Sequence, residues 1–152
     1  MNKKKTKIQG QYTDRGYGFP IVLRRVPMVK IRGRWTPQID YNVLARGVLT
    51  ELTQLKGRLS GDQIKFIRLQ LAMTLQEFAT RLGVTHPAVL KWEKSGSKTT
   101  GMNWSTEKDI RLFIVKTLHC GAKELFQLYV RLEDVMPEKI IGIELDGELL
   151  AA

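Results

Sequence analysis

The sequence is poor in residues that form disulfides or bind metals. It contains one cysteine, Cys120, and two histidines, His86 and His119. A single cysteine excludes a disulfide within the chain, which is consistent with a reducing compartment. A structural zinc site needs four Cys or His ligands at short spacings, and no such cluster is present. We therefore expect no metal and no other cofactor.

The chain also lacks a long apolar run. A membrane-spanning helix needs about 20 consecutive apolar residues, and no stretch of this sequence approaches that length. The lysine-rich start, residues 1–7, is followed by polar residues instead of the apolar core of a signal peptide. These features predict a soluble cytoplasmic protein with no membrane partner.

No grouping of residues typical of an active site is present. The two histidines lie in unrelated contexts, no glycine-rich phosphate loop follows a strand, and the acidic residues cluster towards the C-terminal end without a nucleophile beside them. The sequence therefore predicts no enzymatic activity and no catalytic residues.

Charge is distributed unevenly along the 152 residues, whose net charge is +10. Residues 1–58 carry 13 Lys and Arg against 3 Asp and Glu, whereas residues 101–152 carry 6 against 9. A strongly basic N-terminal part indicates a polyanionic partner. The alternative is that the lysines form only a solvated surface.

The N-terminal part divides into an arm and a mixed segment. Residues 1–11 are polar and basic, which predicts a flexible arm. In residues 12–58, two β-rich runs separated by Pro27 predict two short strands. Asp40 then predicts the N-cap of a helix that ends near Lys56.

This helix carries an apolar stripe. Its residues are Val43, Leu44, Val48, Leu52 and Leu55. Such a stripe is typical of core packing and also of a dimer seam, so residues 12–58 form a candidate dimer or partner surface.

Residues 59–120 begin with closely spaced helix starts. Two of them are capping boxes, in which a Ser or Thr precedes a Gln or Glu by three residues. The pairs are Ser60 with Gln63 and Thr74 with Glu77. Two consecutive boxes predict two short helices in succession.

A third helix start follows at once. Gly83 falls where a tight turn needs a positive φ, and Thr85 is typical of an N-cap. The helix it opens carries small or polar residues that suit a DNA major groove. The three starts together predict a helix-turn-helix unit.

The third helix has the residue types that contact DNA. Thr85 and the free amides at the helix start suit a phosphate. His86 and Lys91 can donate to guanine, and Pro87 and Ala88 suit a thymine methyl. The lysines that follow, at positions 94 and 98, are expected to hold the flanking backbone.

From about Leu59 to Gly96 the sequence resembles the Xre/Cro-type repressors. In that family an Arg near the end of the first helix pairs with a Glu at the end of the third, and Arg68 and Glu93 occupy these places. The segment Glu77–Ala79 matches the signature of the second helix. The resemblance implies a helix-turn-helix DNA-binding domain and a regulator of transcription.

One position departs from the family. A Gln that touches DNA often opens the second helix, but Leu75 stands here, so Gln76 is the candidate replacement. The resemblance also implies structural roles for Arg68 and Glu93. Trp92, beside that glutamate on the inward side, is expected in the core.

The order of parts is also similar to the MqsA-like antitoxin group, in which a zinc-binding module precedes such a domain. This chain lacks the four cysteines of that module. The likeness makes an antitoxin the alternative function, with a toxin as the possible protein partner and binding to its own operator.

Residues 105–152 predict two further helices and a strand. Ser105 is expected to cap a helix that ends near Leu118. Residues 121–152 predict a C-terminal helix and a strand that pairs with the N-terminal strands. The fold class is therefore α+β, mostly helical, with about five helices and a small sheet.

These patterns together predict a sequence-specific DNA-binding regulator, a repressor that binds a palindromic operator as a homodimer. A sequence-independent nucleic-acid or RNA-binding protein, held by its basic arm, is a second alternative.

Overall fold

The computed structural model describes residues 3–134 and 137–152. Within these ranges it contains four strands, six α-helices and a 3-10 helix. They are, in chain order, β1 Thr6–Asp14, β2 Ile21–Ile31, β3 Arg34–Pro37, α1 Tyr41–Gln54, α2 Gly61–Gln70, α3 Leu75–Leu82, α4 His86–Lys94, α5 Trp104–Thr117, α6 Ala122–Asp134, β4 Ile143–Asp146 and the 3-10 helix Gly147–Leu150. The predicted α+β class with a small sheet is confirmed. No helix in the described ranges is long and apolar enough to cross a membrane.

The described chain forms two compact units. The sheet unit comprises the residues up to Val48 together with Gly142–Ala152, and the helical unit comprises Leu49–Ile141. The predicted C-terminal segment 121–152 is therefore divided, since α6 belongs to the helical unit and β4 to the sheet unit.

Strand β2 is the centre of the sheet. It pairs in antiparallel fashion with β1 and β3 and in parallel with β4. The predicted pairing of a C-terminal strand with the N-terminal strands is confirmed. One edge of β2 is shared, because β4 pairs with residues 21–24 and β3 with residues 28–31.

The predicted flexible arm is wrong for residues 6–11, which belong to β1; Met1 and Asn2 lie outside the described residues. The side chains of β1 are mostly exposed, so burial alone does not explain the strand. Main-chain pairing with β2 along eight registered positions stabilises it instead.

The predicted break at Pro27 is also wrong, because β2 continues through it. Pro27 lies between the two segments of β2 that pair with β4 and β3, and its carbonyl accepts from the N–H of Gln38 at 2.8 Å. A strand residue points its N–H and C=O to the same edge. The edge that the N–H of residue 27 would face is therefore the gap between β4 and β3, so the proline removes no hydrogen bond from the sheet.

Helix α1 begins as predicted, since Asp40 Oδ1 accepts from the N–H groups of Asn42 at 2.9 Å and Val43 at 3.3 Å. Three residues of its apolar stripe are 0% exposed: Leu44, Val48 and Leu52. Val43 is 44% exposed. The stripe therefore belongs to the core at these three positions, whereas Val43 lies at the surface.

Helix α5 begins two residues earlier than predicted. Asn103 occupies the N-cap position, so Ser105 lies within the first turn and is not the cap. No side chain caps this end. Glu107, in the first turn, is 0% exposed.

A buried ion pair anchors the connection between α1 and α2 to α5. Arg111, 1% exposed, donates to Glu107 Oε2 at 2.9 Å and to the carbonyls of Leu55 and Gly57, both at 2.6 Å. Arg58 donates to the other oxygen of Glu107 at 3.1 Å. Burial lowers the pKa of Arg111, and the charge of Glu107 opposes that change. The attraction of the paired carboxylate offsets the desolvation penalty of burying the guanidinium group.

Candidate nucleic-acid interface

Helices α2 and α3 both start with complete capping boxes. Ser60 Oγ accepts from the N–H of Gln63 at 3.2 Å, and Gln63 Oε1 accepts from the N–H of Ser60 at 3.0 Å. Thr74 and Glu77 make the same exchange at 3.1 and 3.0 Å. These reciprocal bonds satisfy N–H groups that have no partner within a helix, and they fix where each helix begins.

The turn from α3 to α4 is set by a glycine. Gly83 has φ 67° and ψ 30°, a left-handed conformation that glycine adopts without strain. The N–H of Val84 donates to the carbonyl of Ala79 at 3.0 Å, which closes the end of α3. Thr85 Oγ1 accepts from the N–H of Ala88 at 3.3 Å and starts α4.

Apolar side chains pack the three helices together. Those buried at 0% exposure are Ile64, Ile67, Phe78, Ala79 and Val89. Trp92, on the same face of α4 as Val89, is 9% exposed. One face of α4 is thus committed to the core, which leaves the opposite face for solvent or a partner.

Arg68 and Glu93 link α2 to α4. Arg68 Nε and Nη2 donate to the two carboxylate oxygens of Glu93 at 2.5 and 3.2 Å. Nη1 donates to the carbonyl of Met73 at 3.0 Å, just before α3. The side chains are only 10% and 6% exposed. One arginine therefore holds α2, α4 and the start of α3 in a fixed arrangement.

The predicted contact residues of α4 lie on its outer face. Thr85, His86, Pro87 and Lys91 are exposed, and Ala88 is half-buried. Pro87 and Lys91 are four residues apart, so they share one face of the helix. Pro87 is among the first two helical residues, where its missing N–H removes no helical bond.

The remaining predicted contact residues flank this face in sequence. Gln76 is exposed near the start of α3, where its Nε2 donates to Thr80 Oγ1 at 3.1 Å. Lys94 is exposed at the last position of α4. All eight predicted residues lie in α3, in α4 with its N-cap, or in the loop that follows.

The backbone of that loop is bonded to the start of α2. The carbonyl of Gly96 accepts from the N–H of Asp62 at 2.9 Å, and Ser60 pairs with Thr99 in an isolated β-bridge. Lys98 is exposed on this loop. Its backbone is consequently fixed against the start of α2.

One surface of the helical unit was not predicted. A groove of about 390 Å³ runs between α5 and α6, where Phe126 is 67% and Tyr129 53% exposed. Leu128, next to Tyr129 in sequence, is buried. The available signal in the sequence was the large number of apolar residues in α6, which exceeds what one buried helix face needs.

No group of three or more His, Cys, Asp or Glu in the described ranges is arranged to hold a metal ion. No protein-family model, curated protein or solved structure matches this chain. Its function is therefore inferred from its residues and their geometry.

Proposed function

We propose that this chain is a sequence-specific DNA-binding regulator of the Xre/Cro type, whose helix α4 enters the major groove. The observation that carries the proposal is the two-sided character of α4. Val89 and Trp92 are buried on one side, whereas His86, Pro87 and Lys91 are exposed on the other. A helix fixed by its inner face presents its outer side chains in one orientation, which base recognition requires.

The electrostatics of α4 favour a polyanion. Glu93 is the only acidic residue in this wholly described helix, and Arg68 neutralises it. Lys91 and Lys94 remain exposed. The N-terminal end of the helix adds a partial positive charge beside Thr85.

The contacts divide into those that position the protein and those that specify sequence. Thr85 and Lys94 suit phosphate oxygens, which carry no sequence information. Lys91 suits the O6 and N7 acceptors of guanine, and Pro87 and Ala88 suit a thymine methyl. Gln76 and Lys98 extend the phosphate contacts on either side.

We infer that the protein binds as a dimer. One recognition helix reads only a few base pairs, and two such helices placed about 34 Å apart read a palindrome. Such a protein represses a promoter by occupying it, which requires affinity and no chemical step.

Selection of bound duplexes from a random-sequence pool tests the proposal. We expect enrichment of a two-fold symmetric sequence whose half-sites are separated by about 10 base pairs or a multiple. A pool that stays random after several rounds would contradict sequence-specific binding. An enriched site without symmetry would contradict the dimer and leave base recognition standing.

A further inference from the structure

The basic side chains of the sheet unit fall into two groups. At one end of β2, Arg24 pairs with Glu144 at 2.6 Å, and Arg25 pairs with Asp146 and, at 3.3 Å, with Glu148. These arginines are neutralised by the C-terminal residues of their own unit. They contribute little to an external field.

At the other end of β2 the basic side chains have no such partners. Lys7, Lys30 and Trp35 lie on one face of the sheet. Arg32 and Arg34 lie at the adjoining turn between β2 and β3, and we name these five residues the basic hairpin surface. All five are exposed. None of the four cations pairs with a described carboxylate, and the hairpin itself, residues 28–37, contains no acidic residue.

The ring of Trp35 makes cation–π contacts with two lysines of this surface. Lys7 Nζ lies 4.5 Å from the ring centroid of Trp35, and Lys30 Nζ lies 5.9 Å away. A ring face occupied by an ammonium group is not a free platform for a nucleobase. The contacts hold the lysines near one another at the surface, where their remaining N–H groups stay available to an anion.

We propose that the basic hairpin surface is a second DNA contact, which binds the phosphate backbone of a duplex without regard to sequence. The inference rests on the proposed function only in taking duplex DNA as the polyanion. Four cations without internal partners match a uniformly charged backbone, and guanidinium groups bind phosphate through two parallel hydrogen bonds. The engaged face of Trp35 favours phosphate contact over base stacking, which a single strand would need.

The salt dependence of binding tests this proposal. The full-length protein is titrated with a random-sequence duplex of fixed length at several salt concentrations, so no operator has to be known. Each phosphate contact contributes about 0.9 to the slope of log K against log salt. We expect the double variant Lys7→Gln, Lys30→Gln, which removes the two cations held at Trp35, to lower the magnitude of this slope by about 2.

A matched control removes the same charge from the neutralised end of the strand. The double variant Arg24→Gln, Arg25→Asn also loses two cations, and Asn tolerates the positive φ of 51° at position 25. We expect its slope to equal that of the wild type. Equal slopes for the hairpin variant and the wild type would overturn the proposal, and so would an equal fall in both double variants.

Further variants examine the role of the ring. We expect Trp35→Leu to lower the magnitude of the slope, but less than the double hairpin variant does. We expect Trp35→Phe to keep the wild-type slope, because a ring still faces the lysines. Thermal unfolding of each variant shows whether the fold is retained. Tighter binding to a single strand, or to anionic phospholipid vesicles, than to the duplex would overturn the assignment to duplex DNA.

This result is separable from the outcome for α4. A wild-type protein that enriches no sequence but shows the hairpin-dependent slope would contradict base recognition and support the hairpin contact. An enriched palindrome with a slope unaffected by the hairpin variants would support base recognition and contradict the hairpin contact.

Discussion

Gly61 at the start of α2 touches the main chain at the end of α4: a Cβ at Gly61 would lie 2.3 Å from the carbonyl oxygen of Trp92 and 2.8 Å from the amide nitrogen of Gly96. Both neighbours are backbone atoms, which cannot rotate away as a side-chain end can. The absence of a side chain at position 61 therefore sets how closely α2 approaches the end of the proposed recognition helix.

Gly61→Ala should lower the free energy of unfolding by about 1 to 3 kcal/mol, because the added methyl overpacks a contact between two helices. Urea denaturation followed by circular dichroism measures this change. Gly10→Ala is the control, since nothing lies within 4 Å of a Cβ at that position. An equal effect of the two substitutions would contradict the close approach.

Arg68→Met should destabilise the protein by about 3 to 5 kcal/mol, because it leaves the nearly buried carboxylate of Glu93 without its partner. The double variant Arg68→Met, Glu93→Leu removes both charges, and we expect it to be more stable than the single variant. Denaturation of both variants and of Glu93→Leu completes a double-mutant cycle. Additive effects would show that the pair does not stabilise the helices as a unit.

The helical unit could be predicted largely from local signals. Ser60 with Gln63, and Thr74 with Glu77, fix helix starts through bonds that span only three residues, so the sequence itself contains the whole interaction. The signal at Gly83 is equally local, because its left-handed backbone conformation ends α3 without help from residues distant in sequence. Such signals need no knowledge of distant partners.

The sheet unit could not be predicted in the same way. Strand β1 has mostly exposed side chains and forms because β2 pairs with it, from Asp14 with Ile21 to Thr6 with Val29, so the bonds that stabilise it lie outside its own segment. Pro27 is tolerated only because two partners leave a gap at that position, which depends on β4 from the far end of the chain. The basic hairpin surface could not be predicted for the same reason. Arg24 is neutralised by Glu144, which is distant in sequence, so the sequence does not show which cations of the sheet have acidic partners.

Leu52→Asp should unfold the protein, because Leu52 is 0% exposed and a buried unpaired carboxylate costs several kcal/mol of a stability that is typically about 5 to 15 kcal/mol. Val43→Asp is the control on the same helix, since Val43 is 44% exposed. Circular dichroism distinguishes the two outcomes. A folded Leu52→Asp protein would contradict the core assignment of this stripe.

The wild-type protein should sediment as a dimer when it is bound to a duplex that carries its selected site, because a palindrome presents two equivalent half-sites. Analytical ultracentrifugation at micromolar concentration, with labelled DNA, gives the stoichiometry. One chain per selected duplex would contradict the dimer.

Lys91 tests the central claim, that α4 reads base sequence, most directly. Lys91→Ala should cost about 1 to 3 kcal/mol of binding free energy on the selected site and relax the preference at one position in each half-site. Lys123→Ala, an exposed lysine of α6, removes the same charge and should leave the preference unchanged. The measurement is a repeated selection from the random pool with each variant, followed by titration on the wild-type site. A Lys91→Ala protein with wild-type affinity and the wild-type sequence preference would contradict recognition of DNA by α4.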